Sequence, residues 1–210
     1  MKKYVTLIFA IACFHIAKAQ DYSKARIGVQ AGGTYSTFSE TGSEGTTYSN
    51  SYKFGYVGGV FFYLPFNKNW AIQPELDYQM SGGKTEGAFL NQDYDRKLSI
   101  SQYYLNVPVL AKYHFDHTAL SLMAGPQFGV LTKANQNIDG YQTNIKSDFK
   151  SNDFSGVIGA EYALPFFKDH YFSVEARYQL GFSDNLKNTT ENDNSPMRNR
   201  VVSLMLNYSF

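Results

Sequence analysis

The chain has 210 residues, a formal net charge of +1 and one cysteine. This length suits one domain or two small ones, and the near-zero charge argues against a nucleic-acid binder, which usually carries a basic excess. One cysteine excludes a disulfide scaffold and a cysteine-rich zinc module, while 43% hydrophobic and 17% aromatic residues exclude a disordered chain and favour strands.

The first 19 residues predict a secretory signal peptide. Two lysines precede a mainly apolar stretch, and Ala17-Lys18-Ala19 has the small-x-small pattern of a cleavage site, so we expect cleavage between Ala19 and Gln20. The alternatives are a transmembrane anchor, for which the apolar run is short, and a lipoprotein signal ending at Cys13, whose preceding residues depart from the usual lipobox. Residues 20–210 then form one domain without cysteine.

Eight stretches of the remaining chain alternate apolar and polar residues, which is typical of strands with one apolar face. The clearest runs from Trp70 to Met80, where a helix of period 3.6 would mix the two sets. The second stretch is the least regular, because Val57, Phe61 and Tyr63 add apolar residues to its polar face. In chain order, the predicted strands cover residues 26–35, 54–64, 70–80, 104–113, 120–130, 153–164, 172–182 and 202–210.

The links between these strands alternate in length. Short links cover residues 65–69, 114–118 and 165–169, whereas long polar links cover 36–53, 81–97, 131–152 and 183–199. In an up-and-down barrel alternate links lie at opposite ends, and membrane barrels have short periplasmic turns and long extracellular loops. Most of the strands also have the length needed to cross a bilayer. The pattern predicts a closed eight-stranded antiparallel up-and-down transmembrane β-barrel; the alternative is a soluble barrel with disordered insertions.

Aromatic residues on the apolar face lie in two groups with aliphatic residues between them, as in the aromatic belts of membrane barrels. The short-turn belt contains Phe62, Trp70, Tyr113, Tyr162, Phe172, Tyr208 and Phe210. The long-loop belt contains Tyr35, Phe54, Tyr56, Tyr78, Phe128, Phe154 and Phe182.

The opposite face is polar and rich in glycine. An eight-stranded barrel has an interior only wide enough for its own side chains, and an unpaired buried charge is costly. We therefore expect a largely plugged lumen in which charged residues pair with one another. The predicted network contains Glu75, Asp77, Lys112, Glu161, Glu175 and Arg177.

The last strand resembles the C-terminal signal by which bacterial barrel-assembly machinery recognises its substrates, with Leu206, Tyr208 and Phe210 alternating up to the terminal residue. Four further segments resemble the small outer-membrane β-barrel proteins of PorT type that are common in the Bacteroidetes. These segments are Ile27–Gly33, Ala71–Tyr78, Tyr104–Tyr113 and Ala124–Gly129. The resemblance covers nearly all of residues 20–210 and implies the fold and an outer-membrane location. A secretion role would rest on analogy alone, because fold does not fix function.

Candidate catalytic groups have simpler explanations in this sequence. Glu75 with Asp77, or Glu175 with Arg177, has the chemistry of an acid–base pair, but each pair also fits a structural lumen network. No histidine, serine and acid residue come together near the outer leaflet.

A metal site formed by His114, Asp116 and His117 is the other candidate, and exposed turn residues explain it better. We therefore expect no enzyme activity, metal or cofactor, and no nucleic-acid partner.

The predicted function is that of a monomeric integral outer-membrane barrel with periplasmic termini, serving a structural or partner-binding role. Its expected partners are outer-membrane lipid, the barrel-assembly machinery during biogenesis, and a surface or periplasmic protein. The alternatives are a narrow pore or secretion-system accessory, a lipid-modifying enzyme, and a soluble lipocalin-like carrier.

Overall fold

The computed structural model describes residues 24–39, 49–87, 96–164, 171–187 and 197–210. The expected signal peptide, its cleavage position at Ala19 and Gln20, and the predicted short turn at 165–169 lie outside these ranges. The described residues include no helix long and apolar enough to cross a membrane. Their strands are β1 Arg26–Ser39, β2 Ser49–Pro65, β3 Trp70–Gly87, β4 Arg96–His114, β5 Leu120–Ile138, β6 Tyr141–Asn144, β7 Asn152–Leu164, β8 Tyr171–Gly181 and β9 Arg198–Ser209, with a 3₁₀ turn at Lys146–Asp148.

Eight of these strands close into an antiparallel barrel. Strands β1 to β5 pair in chain order, β5 pairs with β7, and β7, β8 and β9 follow. The barrel closes where β1 pairs with β9, which sets Tyr35 opposite Val202 and Val29 opposite Tyr208. Closure satisfies the backbone groups along every barrel strand, as a lipid environment requires. The predicted eight-stranded up-and-down barrel is confirmed.

The two faces of the barrel wall differ as the alternation predicted. Outward side chains are apolar and exposed, with Phe54 at 79% and Leu204 at 61%, whereas the inward Glu75 is 4% exposed. Within each aromatic belt, neighbouring rings contact each other on the outer face. The ring centroids of Tyr35 and Phe54 in the long-loop belt are 4.7 Å apart, and those of Trp70 and Tyr113 in the short-turn belt are 5.0 Å apart. So large an exposed apolar surface requires an apolar surrounding.

Several strands are longer than the alternation predicted. Strand β3 continues to Gly87, β4 begins at Arg96, and β5 continues to Ile138, so the segments 81–97 and 131–152 are partly strand rather than loop. Above the long-loop belt the exposed side chains of these strands include polar residues such as Lys84, Thr132 and Lys133, so the apolar–polar alternation used to locate strands is lost. The strands there form a sheet that projects beyond the belt.

Strand β6 was also not predicted. It returns along β5 after a two-residue turn at Asp139 and Gly140, whose φ angles of 50° and 96° are those of a hairpin turn with positive φ at both positions. The Asp-Gly pair favours this turn. The paired residues of β5 and β6 are mainly polar on both faces, so they show no alternation of apolar and polar residues.

The irregular face of β2 lies inside the barrel. Val57, Phe61 and Tyr63 are 4%, 5% and 2% exposed, so one side of the lumen is lined by apolar and aromatic side chains. The sequence pattern was ambiguous there because both faces of β2 carry large apolar residues.

Candidate functional site

Arg177 of β8 occupies the centre of the lumen and contacts carboxylates from two walls. Its Nη1 and Nη2 donate to Glu75 Oε2 and Oε1 of β3 at 2.6 and 2.7 Å. Its Nε donates to Glu175, and its Nη1 lies 3.8 Å from Asp77 Oδ2. Gln30 of β1 donates from Nε2 to Glu75 at 2.8 Å and to Asp77 at 2.6 Å. The planar guanidinium suits this position because it binds a carboxylate through two parallel hydrogen bonds.

A second ion pair lies nearer the short-turn end. Lys112 Nζ of β4 donates to Glu161 Oε2 of β7 at 2.7 Å and to Gln73 Oε1 at 3.0 Å. Asn207 of β9 joins the two groups, because its Nδ2 donates to Glu161 at 3.1 Å and to Glu175 at 2.6 Å. All six charged residues of the predicted lumen network therefore lie in one hydrogen-bonded network.

The central group contains more carboxylates than cations. One guanidinium faces the carboxylates of Glu75, Asp77 and Glu175, all of which are buried. A side chain at Gly59 would collide with the Asp77 carboxylate, so the absence of a side chain at Gly59 leaves the space that this carboxylate occupies. Amide donors offset part of the charge, which explains why the network needs glutamine and asparagine as well as cations.

The short-turn mouth is closed by a stack of aromatic and basic side chains. The Arg26 guanidinium lies 4.5 Å from the ring centroid of Tyr63 and 3.7 Å from that of Tyr171. The Tyr63 hydroxyl lies 2.7 Å from His114 Nε2, and His114 Nδ1 lies 2.6 Å from Ser121 Oγ. A serine beside a histidine suggests a nucleophile and base, but Ser121 is 0% exposed, so no substrate reaches its hydroxyl.

The candidate metal residues of the neighbouring turn do not come together. His114 is 2% exposed and points into the lumen, which corrects its interpretation as an exposed turn residue, whereas His117 is exposed and has a φ of 60°. Asp116 Oδ1 instead accepts from Asn69 Nδ2 at 2.9 Å. Among the described residues, no group of three or more His, Cys, Asp or Glu side chains could hold a metal ion.

The long-loop mouth is closed by an apolar cluster, which we call the apolar cap. The described residues of two segments predicted as polar surface loops, 131–152 and 183–199, form it together with Phe38 of β1 and Tyr104 of β4. The cluster is apolar because each segment contributes a few large apolar side chains, which bury together. Its buried members are Phe38, Tyr104, Leu131, Ala134, Phe149 and Met197.

Asp184 connects the two segments of the apolar cap through hydrogen bonds and an ion pair. Its Oδ1 accepts from the backbone N–H of Leu186 at 3.2 Å and of Met197 at 3.1 Å, and its Oδ2 lies 3.1 Å from Lys150 Nζ. Partial burial raises the pKa of this carboxyl, but the N–H of Leu186, the Lys150 ammonium and the N–H of Met197 outweigh burial. The pKa of Asp184 therefore lies below its ordinary value of 3.8.

Between the two mouths the lumen is filled with side chains. Two cavities inside it have volumes of about 20 and 10 Å³, each enough for about one water molecule. Neither of these two cavities has room for a solute larger than water.

Sequence reasoning named the charged residues but missed their neutral partners. These partners are amide side chains at inward positions of the predicted strands, namely Gln30, Gln73 and Asn207. Their inward position in the alternation is the feature from which they could have been predicted. Neither Tyr63 nor His114 was predicted as part of the lumen lining, because an aromatic residue and a strand-terminal histidine, interpreted as an exposed turn residue, gave no polar pattern.

The predicted assembly signal lies on the outer face of the last strand. Leu206 and Phe210 are 63% and 67% exposed, and Tyr208 contacts Phe210 with ring centroids 4.8 Å apart. The backbone N–H of Phe210 donates to Ile27 O at 3.0 Å, which ties the chain end to β1.

Comparison with solved structures finds bacterial surface barrels at low identity. Neisserial surface protein A is 13% identical with a TM-score of 0.49, covering 90% of this chain and 100% of that one. Ail, the attachment invasion locus protein of Yersinia pestis, is 15% identical with a TM-score of 0.43, covering 89% and 99%. The outer membrane protein OprG from Pseudomonas aeruginosa is 14% identical with a TM-score of 0.41, covering 89% and 97%.

No curated protein matches the chain. The family described as "Outer membrane protein beta-barrel domain" matches residues 18–187, which is most of the sequence. The chain therefore belongs to this outer-membrane β-barrel family, and the outer membrane is its location.

Proposed function

We propose that this barrel acts by binding a protein partner through its long-loop end, which faces the cell exterior. The observation that carries the proposal is the edge of β6. The filled lumen supports it as well, because it leaves the two end surfaces as the places where the described residues can act on other molecules.

The edge of β6 offers backbone hydrogen bonds to an extended chain. The backbone N–H of Ile145 donates to Ala134 O at 3.0 Å, which makes these two residues a hydrogen-bonded pair. In an antiparallel ladder every second pair is of this kind, so Thr143 with Gln136 and Tyr141 with Ile138 are also hydrogen-bonded pairs. Gln142 and Asn144 lie between those pairs and therefore direct their N–H and C=O groups away from β5. All four residues of β6 are exposed, with Tyr141 at 83%. An edge of this kind binds partners by strand addition.

Replacement of Gln142 by proline tests the backbone contribution. Proline removes an outward N–H and spares the bonds between β5 and β6, while Gln142→Ala removes the side chain and keeps the N–H. A photoreactive amino acid at Tyr141 on intact cells should crosslink a partner in wild type and in Gln142→Ala, and lose the adduct in Gln142→Pro. Equal adducts in both variants, or none in wild type, would contradict strand addition.

Cysteine labelling tests which end faces outward. The one cysteine of the sequence, Cys13, lies in the predicted signal peptide, so a variant of the cleaved chain carries a single thiol. Tyr141→Cys at the long-loop end should react with a membrane-impermeant maleimide on intact cells. Lys68→Cys, on the exposed short turn after β2, should react only after permeabilisation. The reverse result would place the termini outside.

The alternative of a narrow pore is tested by conductance in planar bilayers. A steady current from the wild-type protein would contradict the plugged lumen. Assignment to the PorT type, and a secretion role with it, stays a prediction, as do the monomeric state and recognition by the assembly machinery.

A further inference from the structure

The outer surface at and just above the long-loop belt carries a group of exposed cations on β9. Arg198 and Arg200 both point outward and are exposed. Arg200 pairs with Thr37 of β1, and the next outward residue, Val202, pairs with Tyr35. On the β8 side Arg200 pairs with Leu180, one outward position below belt residue Phe182, so Arg200 lies at the height of the belt. That height corresponds to the headgroup layer of a bilayer.

Three lysines extend this group around the barrel toward β5. Lys133 of β5 places its Nζ 5.7 Å from the ring centroid of Tyr103, which stacks on belt residue Tyr78. Lys150 and Lys187 stand above β7 and β8, in the two segments of the apolar cap. We call these five residues the basic arc: Lys133, Lys150, Lys187, Arg198 and Arg200.

One of the five members of the basic arc forms an ion pair with a described carboxylate. Lys150 pairs with Asp184 at 3.1 Å, whereas the other four members form no ion pair with a carboxylate in the described part of the chain. Among the described residues, the short-turn end carries the exposed cations Lys24 and Lys68, with exposed Asp116 in the turn after β4. The larger group of exposed cations therefore lies at the long-loop end.

The anions available in a headgroup layer are phosphates, and arginine binds phosphate through two parallel hydrogen bonds. Arg198 and Arg200 lie about 7 Å apart on one face, as residues two positions apart along a strand do. From β5 to β9 the arc spans three strand spacings, about 14 Å. This width exceeds a single phosphodiester and fits a headgroup that carries phosphates at both ends of a sugar unit.

We propose that the basic arc binds the phosphates of a phosphorylated glycolipid in the outer leaflet. The proposal rests on the outward orientation of the long-loop end put forward above, and it requires no protein partner. Binding at this height would fix the depth of the barrel in the bilayer and hold the apolar cap among lipid sugars.

Lipid retention by the purified full-length protein tests the proposal. The protein is reconstituted with phosphatidylcholine plus diphosphorylated lipid A, dephosphorylated lipid A, or phosphatidylglycerol. After extraction into mild detergent, bound lipid is counted by native mass spectrometry. The test variant is the double substitution R198Q/R200Q, and the matched control is K68Q at the opposite end.

We expect wild type and K68Q to retain diphosphorylated lipid A equally. R198Q/R200Q should retain about thirty-fold less, since each basic side chain near an anionic headgroup layer contributes about five-fold. Dephosphorylated lipid A should bind wild type as weakly as the variant binds the phosphorylated form. Equal retention by R198Q/R200Q would overturn the proposal, and equal retention of phosphatidylglycerol would reduce it to adsorption of any anion. The measurement uses no partner protein and no intact cell, so its failure leaves the strand-addition and labelling experiments to be judged separately.

Discussion

Two neighbouring carboxylates in the lumen should differ greatly in their contribution to stability. Glu75 forms two bonds to Arg177, of 2.6 and 2.7 Å, and its side chain is 0% exposed. In Glu75→Gln the new amide NH₂ group would face guanidinium N–H groups, so the cation loses its paired acceptor. Breaking a buried ion pair by changing one partner costs about 3–5 kcal/mol.

Asp77 occupies the same cluster with much weaker contact to the cation. Its Oδ2 lies 3.8 Å from Arg177, and its Oδ1 accepts from Gln30 at 2.6 Å. In Asp77→Asn the amide oxygen keeps an acceptor for Gln30, which limits the loss to about 1 kcal/mol. Removing one of three carboxylates around a single guanidinium also relieves repulsion between like charges. The expected change in unfolding free energy is thus within about 1 kcal/mol of zero.

Reversible urea unfolding in lipid vesicles, followed by heat-modifiable gel mobility, measures both variants against wild type. Both should fold to the wild-type mobility, and Glu75→Gln should be less stable than Asp77→Asn by at least about 2 kcal/mol. Equal destabilisation would show that Glu75 and Asp77 interact with Arg177 equally strongly. A neutral Glu75→Gln would show that the paired bonds to Arg177 contribute nothing, and either result would refute the reasoning.

Three further predictions concern the apolar cap, the glycines and the chain end. Because the folded pKa of Asp184 is depressed, its stabilisation is present above the ordinary pKa of 3.8 and is lost as the pH falls through the folded value. The exchange protection of the Leu186 amide should fall in that window, and Asp184→Asn should abolish the dependence. Gly59→Ala should destabilise the barrel by about 1–3 kcal/mol in the urea assay, through collision with the lumen acid. Gly58→Ala, whose added carbon meets only an ordinary contact at 3.6 Å, is the matched control and should be near neutral. Deletion of Phe210 should lower the assembled fraction on a heat-modifiability gel, and an unchanged fraction would remove it from the assembly signal.

The wall of the barrel was predictable because lipid outside and polar side chains inside impose a strict period of two. Trp70 to Met80 shows this, since Gln73, Glu75 and Asp77 are buried while Leu76 is exposed, as the alternation required. A register error of one residue would have turned every lumen acid toward lipid. The sequence of each strand is therefore enough to predict which of its residues face the lumen and which face lipid, without information on the neighbouring strands.

The ends of the barrel and the pairing inside it were not predictable in the same way. Beyond the belts the outer face no longer meets hydrocarbon, so the extension of β5 and the hairpin at Asp139 and Gly140 show no apolar–polar alternation. Phe149 lies in a mainly polar segment, and only the fold shows that it enters the apolar cap. Arg177 and Glu75 are 102 positions apart, and no local pattern selects one acid over another for that cation.

The distribution of polarity explains why this membrane protein has a mean hydropathy of −0.34. Half of each strand faces an interior where ion pairs and amides take the place that apolar packing has in a soluble core. Because stability then depends on that network, a lumen open to solutes would screen the ion pairs that the barrel needs. Binding at the ends avoids this conflict. The edge of β6 and the basic arc both lie at the long-loop end, so binding at either one leaves the ion pairs of Arg177 in place.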